Sequence, residues 1–168
     1  MRKWLAIMLA SVSSAALAQQ LPILKRLPDP PEQPIPFSHR LHVSNGLKCA
    51  ECHPAPDPGD FAEIVGTEKC MACHIAIKTG SPLIQKLARF HKEDGEVPWE
   101  PVYLVADYVF FNHRVHTEKA GAKCQDCHGP VEERDVLGKE RDISMAACMS
   151  CHRAKGGSLE CNYCHEPR

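Results

Sequence analysis

Aromatic side chains are scarce in this sequence. Five Phe, three Tyr and two Trp among 168 residues are too few for a conventional aromatic-rich core in a domain of this length. Neither charge sign is in excess: 20 Lys and Arg face 21 Asp and Glu. The chain therefore lacks the basic field that attracts nucleic acid or anionic lipid, and nucleic acid is excluded as a partner. Beyond the first twenty residues no apolar run approaches the roughly 20 residues needed to span a bilayer. At roughly 100–200 residues per domain, the length excludes a large two-domain enzyme and leaves one domain or two small halves. There is also no solitary cysteine; every Cys belongs to a C-x-x-C pair.

The opening MRKWLAIMLASVSSAALAQQ places Arg2 and Lys3 before an apolar run from Trp4 that ends in Ala16-Leu17-Ala18, the small-x-small pattern of a signal-peptidase site. Residues 1–18 are expected to be a cleaved export signal. A retained membrane anchor is the alternative, although Ser11, Ser13 and Ser14 interrupt the run. Loss of Arg2 and Lys3 takes the formal charge from −1 to −3. The mature chain is expected to be periplasmic or otherwise exported, without a transmembrane segment, and to begin with a Pro-rich stretch over 19–36.

All ten cysteines fall into five pairs of one spacing, each followed at once by His. In chain order these are motif 1 (Cys49, Cys52, His53), motif 2 (Cys70, Cys73, His74), motif 3 (Cys124, Cys127, His128), motif 4 (Cys148, Cys151, His152) and motif 5 (Cys161, Cys164, His165). Disulfides and zinc sites both use paired thiols, but neither demands the His. With ten His in the chain, chance would place one after every pair about once in a million sequences. C-x-x-C-H is the c-type haem attachment signature. Its two thioethers fix the porphyrin to a short helical turn and hold the adjacent imidazole beneath the iron as proximal ligand. Five covalent haems c are expected, with His53, His74, His128, His152 and His165 as proximal ligands. They would supply the missing core and make Pro-rich wrapping tolerable.

Five histidines remain: His39, His42, His91, His113 and His116. Four of them recur as two pairs, in FSHRLHVSNGLKCAECH from Phe37 and FNHRVHTEKAGAKCQDCH from Phe111. The first motifs of the two stretches lie 75 residues apart and the second motifs 78, which marks a degenerate tandem repeat. The expected organisation is a first haem module over 37–77 with two haems, a linker over 78–110 with one helix, and a second module over 111–168 with three haems. SPLIQKLARFHKEDG reads as that helix, with Ser81 at the N-cap, Pro82 at the first position and a stop at Asp94-Gly95. Ile84, Leu87, Ala88 and His91 share one of its faces.

On these residues the sequence resembles the class III multihaem cytochromes c, in which an F-x-H-x-x-H segment precedes the first motif. The resemblance implies a mainly α fold with much irregular coil, little regular sheet and a core made of haems. It also implies distal ligation of the motif 1 iron by His39, of motif 2 by His42, of motif 3 by His113 and of motif 4 by His116. The stretch WEPVYLVADYVFFNH is in addition similar to the pentahaem cytochrome subunit of alternative complex III. For motif 5 the family uses a His at the position held here by Ser144, so its sixth ligand is expected to be His91, with Met145 as the competing candidate. Met145 lies on the expected helical turn DISMAACMSCH, and thioether sulfur is an accepted haem ligand.

Six-coordinate irons leave no place for substrate, and every Cys is consumed by haem attachment, so no catalytic residue is assigned and electron transfer is the expected activity. The implied partners are redox proteins, or a quinol-oxidising membrane complex if the second resemblance holds. Two other readings stay open: a multihaem enzyme or sensor with one open haem site, and a self-associating, filament-forming cytochrome.

Overall fold

The computed structural model describes residues 27–93 and 95–165. The expected signal at 1–18 and the start of the Pro-rich stretch lie outside the described residues, as does Asp94. Six short α-helices follow in chain order: α1 (His39–Ser44), α2 (Cys49–Cys52), α3 (Thr67–His74), α4 (Pro82–Glu93), α5 (Cys124–His128) and α6 (Met145–Lys155). A π-helical turn covers Val115–Lys119, and 3₁₀ turns cover Val131–Glu133 and Cys161–Tyr163. The rest is coil. Among the described residues there is no strand, and the only β pairing is an isolated bridge between Val109 and His165. The fold is mainly α with much irregular coil, as the sequence leads one to expect.

Each attachment motif sits on a helical turn that its own sequence starts. In motifs 1 and 3 the acidic residue before the second Cys reaches back to cap the turn. The Lys48 N–H donates to Glu51 Oε1 and the Lys123 N–H to Asp126 Oδ2, both at 2.9 Å, relieving one otherwise orphaned donor each. Ser38 caps α1 by accepting from the Leu41 N–H at 3.0 Å, and Ser144 starts α6 as its N-cap. The expected linker helix is α4: Pro82 opens it, His91 and Lys92 lie in its last turn, and Gly95 follows with φ +74°, a left-handed conformation that glycine adopts without a Cβ penalty.

Apolar burial is slight. Ile35, Leu87 and Val97 are the only buried hydrophobic residues described, with Met71, Ile84, Phe90 and Trp99 packed against them. Large apolar side chains elsewhere are open, Phe61 being 78% exposed, Ile75 73% and Tyr163 70%. The α4 face predicted from the sequence is only partly turned inward: Leu87 is buried, while His91 is exposed.

The two copies are held together by hydrogen bonds that repeat with the copies exchanged. The Arg40 N–H donates to Arg134 O at 3.0 Å, and its counterpart, the Arg114 N–H, to Gly59 O at 3.2 Å. Each acceptor stands six residues beyond a motif His, His128 in one case and His53 in the other. The Arg40 guanidinium pairs with Asp135, and that of Arg114 with Asp57. Each F-x-H-R turn is thus docked on the loop that follows the other copy's first motif.

In the second copy Cys124 stands eight residues after His116, where in the first Cys49 stands seven after His42. The extra residue is absorbed by the π turn, in which the Ala120 N–H bonds to Val115 O at 3.0 Å, five residues back. An inserted residue that must not disturb the flanking registers forms such a bulge. The Leu47 N–H closes on His42 O in one copy and the Ala122 N–H on His116 O in the other, so both turns deliver the next motif equivalently.

Candidate functional site

The histidines expected to share an iron are neighbours in space. The ring centroids of His39 and His53 are 6.3 Å apart, those of His42 and His74 6.2 Å, and those of His116 and His152 6.0 Å. His113 lies close enough to His128 to disfavour its protonation. A metal–imidazole bond is about 2 Å long and the ring centre lies about 1 Å beyond the nitrogen, so two imidazoles on opposite sides of one metal have centroids about 6 Å apart. Hydrogen-bonded or stacked rings sit closer. Phe37 and His42, for example, stack at 4.2 Å, as Phe111 and His116 do at 4.5 Å, and in both copies this conserved stacking of the repeat's Phe fixes the second imidazole.

The ring nitrogens carry a second signal. Nδ1 lies on a backbone carbonyl in His42 (Ser38 O, 2.8 Å), His53 (Glu63 O, 3.1 Å), His74 (Ile77 O, 3.2 Å), His113 (Asp60 O, 2.8 Å), His116 (Asn112 O, 2.8 Å), His152 (Ser158 O, 2.7 Å) and His165 (Tyr108 O, 3.2 Å). A carbonyl only accepts, so Nδ1 carries the hydrogen and the lone pair is left on Nε2. Fixing the tautomer through the second nitrogen is how proteins orient a metal-bound imidazole and raise its basicity. His39 differs: its Nδ1 is buried without a hydrogen-bond partner. Burial, with His53 and His42 nearby, holds its pKa down at about 4. Burial likewise lowers His128, with smaller effects from His113 and His53.

None of the ten cysteines is in a disulfide, and seven of them are exposed. Exposed thiol pairs, neighbouring imidazoles with Nε2 available, and a body with three buried hydrophobic residues together form a donor set and a cradle that fit a large apolar, iron-bearing group. The residues present therefore fit haem.

His165 has a different neighbour. Its ring faces that of Tyr108 at 5.9 Å, and the structure joins it to neither remaining candidate. His91 is tied to the other end of the sequence, its Nδ1 2.9 Å from Thr67 Oγ1. Thr67 is 1% exposed and donates to Gly95 O at 2.6 Å, so its hydroxyl accepts from His91 and leaves Nε2 of that ring unprotonated as well. Met145 begins α6 and is 63% exposed.

Several residues here drew no attention in the sequence. Thr67 anchors His91. Tyr103 donates to His128 O at 3.2 Å while accepting from the Glu140 N–H at 2.9 Å, which ties motif 3 to the approach of motif 4. The recurring Arg of F-x-H-R was visible as a repeat; its acceptors, seven residues or fewer past a motif His in the opposite copy, had no local signal.

Residues 109–166 match the family described as cytochrome c7 and related cytochrome c. The chain is 33% identical over 57 residues to cytochrome c3 of Desulfuromonas acetoxidans, covering 79% of that protein and 34% of this one. It is 35% identical over 107 residues to the multiheme cytochrome c subunit of a menaquinone reductase from Nitratidesulfovibrio vulgaris, a match that takes in 62% of this chain and spans about half (49%) of that subunit. The chain belongs to the cytochrome c7 and related cytochrome c family. It is a multihaem c-type cytochrome, and members of this class carry electrons.

Proposed function

We propose that the chain is an exported pentahaem electron carrier serving a quinone-linked membrane complex. Ten thiols would bind five haems, and the imidazole pairs His39/His53, His42/His74, His113/His128 and His116/His152 would close four irons on both sides. When bound, the haems supply reversible one-electron chemistry, at low potential where both ligands are His. The chain's own carbonyls orient His42, His53, His74, His113, His116 and His152 through Nδ1. The observation that carries this reading is the set of imidazole pairs at 6.0–6.3 Å.

For the fifth iron, opposite His165, the better-supported sixth ligand is Met145. It lies one helical turn before Cys148, and the Cys148 thiol neighbours Cys164 of motif 5. His91, the competing candidate, is anchored on α3 instead. Association with a quinone-linked complex is supported by the similarity to a menaquinone reductase subunit, and no described helix is long and apolar enough to cross a membrane.

Intact mass and a pyridine haemochrome count on the exported protein test the reading. Five haems per chain are expected, and a smaller number overturns it.

A further inference from the structure

Four of the five motif histidines, His53, His74, His152 and His165, give their Nδ1 hydrogen to a backbone carbonyl. His128 is the exception: among the described residues no group accepts from its Nδ1. The repeat shows what stands in the place of that acceptor. In the first copy the chain returns ten residues after His53 and offers it Glu63 O at 3.1 Å. In the second copy the residue ten after His128 is Gly138, and the chain there turns to a side chain instead. The Glu140 and Arg141 N–H groups donate to the Tyr103 hydroxyl at 2.9 and 3.3 Å. That hydroxyl donates in turn to His128 O at 3.2 Å, so its one hydrogen and both its lone pairs are used. The Tyr103 and His128 rings then meet edge to face, with centroids 4.6 Å apart and planes at 80°, a favoured geometry for two flat rings. Lys139 closes over the same tyrosine, its Nζ 5.9 Å from the ring centre. Tyr103 is half-buried, whereas Leu104 and Val105 beside it are exposed. The first copy has no equivalent ring: Tyr103 stands ten residues before His113, and the residue ten before His39 is Asp29.

Resting on the proposed haem at motif 3, we infer that Tyr103 is the positioning residue of the motif 3 imidazole: its ring, pinned through the hydroxyl, sets the plane of His128 where a carbonyl sets the planes of the other motif histidines. A metal-bound imidazole is held in one orientation by a second group behind it. Here a ring does so by packing, without drawing on the Nδ1 hydrogen. Tyr108, five residues further on, shows the contrast. Its carbonyl accepts from His165 Nδ1 at 3.2 Å, while its ring is tilted by 33° to His165 at 5.9 Å and the residue is 63% exposed. The ring is therefore dispensable at Tyr108 and required at Tyr103.

In a ferric low-spin haem the methyl proton shifts follow the planes of the axial imidazoles. NMR of the oxidised holoprotein, with signals assigned to each haem, therefore reads the orientation of His128 directly. Tyr103→Leu should move the methyl signals of the motif 3 haem and leave those of the other four, and Tyr108→Leu should leave all five as they are. Tyr103→Phe keeps the ring without its hydroxyl and should move the same motif 3 signals by a smaller amount; it carries the test alone if Tyr103→Leu does not accumulate. Motif 3 signals that stay in place in either Tyr103 variant, that move as far in Tyr103→Phe as in Tyr103→Leu, or that move together with those of every other haem overturn the inference while leaving a count of five haems intact. Fewer than five haems by intact mass, with none on the peptide that carries Cys124 and Cys127, overturns the underlying reading instead.

Discussion

Ser38 of the first copy donates to Asp135 of the second at 2.6 Å, and the counterpart pair, Asn112 and Asp60, is joined at 2.7 Å with the copies exchanged. Both acids stand seven residues after the His of a first motif. Asp135 also takes the Arg40 guanidinium, and these bonds hold its carboxyl below the usual carboxylate range. Both partners of that ion pair are largely exposed, 61% and 54%, so its contribution is small. Asp135→Ala removes the ion pair and the Ser38 bond together and should lower the midpoint of chemical denaturation of the holoprotein only slightly. A large drop, or a lost haem, would show that the contact does more than join the copies.

The π turn leads to a deletion experiment. The first copy makes the same connection with one residue fewer, and Gly46 and Gly121 both turn the chain with positive φ. Removing Lys119 should therefore convert Val115–Lys119 to the α1 geometry and leave His116 beside His152. Far-UV circular dichroism and the low-spin spectrum should be unchanged, and stability should move by no more than about 1 kcal/mol. A new high-spin signal would mean that the bulge itself aims His116.

The spacing of seven against eight residues is plain in the sequence, as are the five motifs and the α4 boundaries. These are local or repeated signals, set by residues a few positions apart. What the sequence did not disclose is non-local. Asp60 and Asp135 lie 52 residues or more from the groups that bind them, and neither sits in a motif. Thr67 stands at the first-copy position equivalent to Met145, where no haem ligand is needed, and nothing local marks it as the partner of His91. Here it is 1% exposed because Gly95 O and His91 close over it.

Acid should loosen the protein through its buried imidazoles. His39 is held near 4 against an ordinary value of 6.5, first by burial, and His128 is lowered for the same reason. Between those two values the unfolded chain binds protons that the native chain excludes, so stability rises with pH across the window and is lost as pH falls from about 6.5 toward 4. Thermal unfolding measured at pH 7, 6, 5 and 4 should show that decline, and His39→Met should flatten part of it. A flat profile over this range would contradict the burial of these rings.

The fifth iron separates the two remaining ligand candidates. Met145 precedes Cys148 by three residues on α6, a spacing that places both on one side of the helix, and Cys148 neighbours Cys164. His91 gives its Nδ1 hydrogen to Thr67 on α3, the helix that carries motif 2. Met145→Leu should therefore create one high-spin haem that binds carbon monoxide, and should abolish both a weak near-infrared sulfur-to-iron band and the single potential lying well above the other four, since thioether ligation favours the ferrous state. His91→Ala should leave spin state and potentials as they are and lower stability by about 1 kcal/mol, through the lost Thr67 bond. Should His91→Ala open the haem instead, α4 would have to reach motif 5, and Met145 would be ruled out as its ligand. Rapid carbon monoxide binding by the native protein would leave the site without either ligand and favour the alternative reading of an enzyme or sensor with one open haem site.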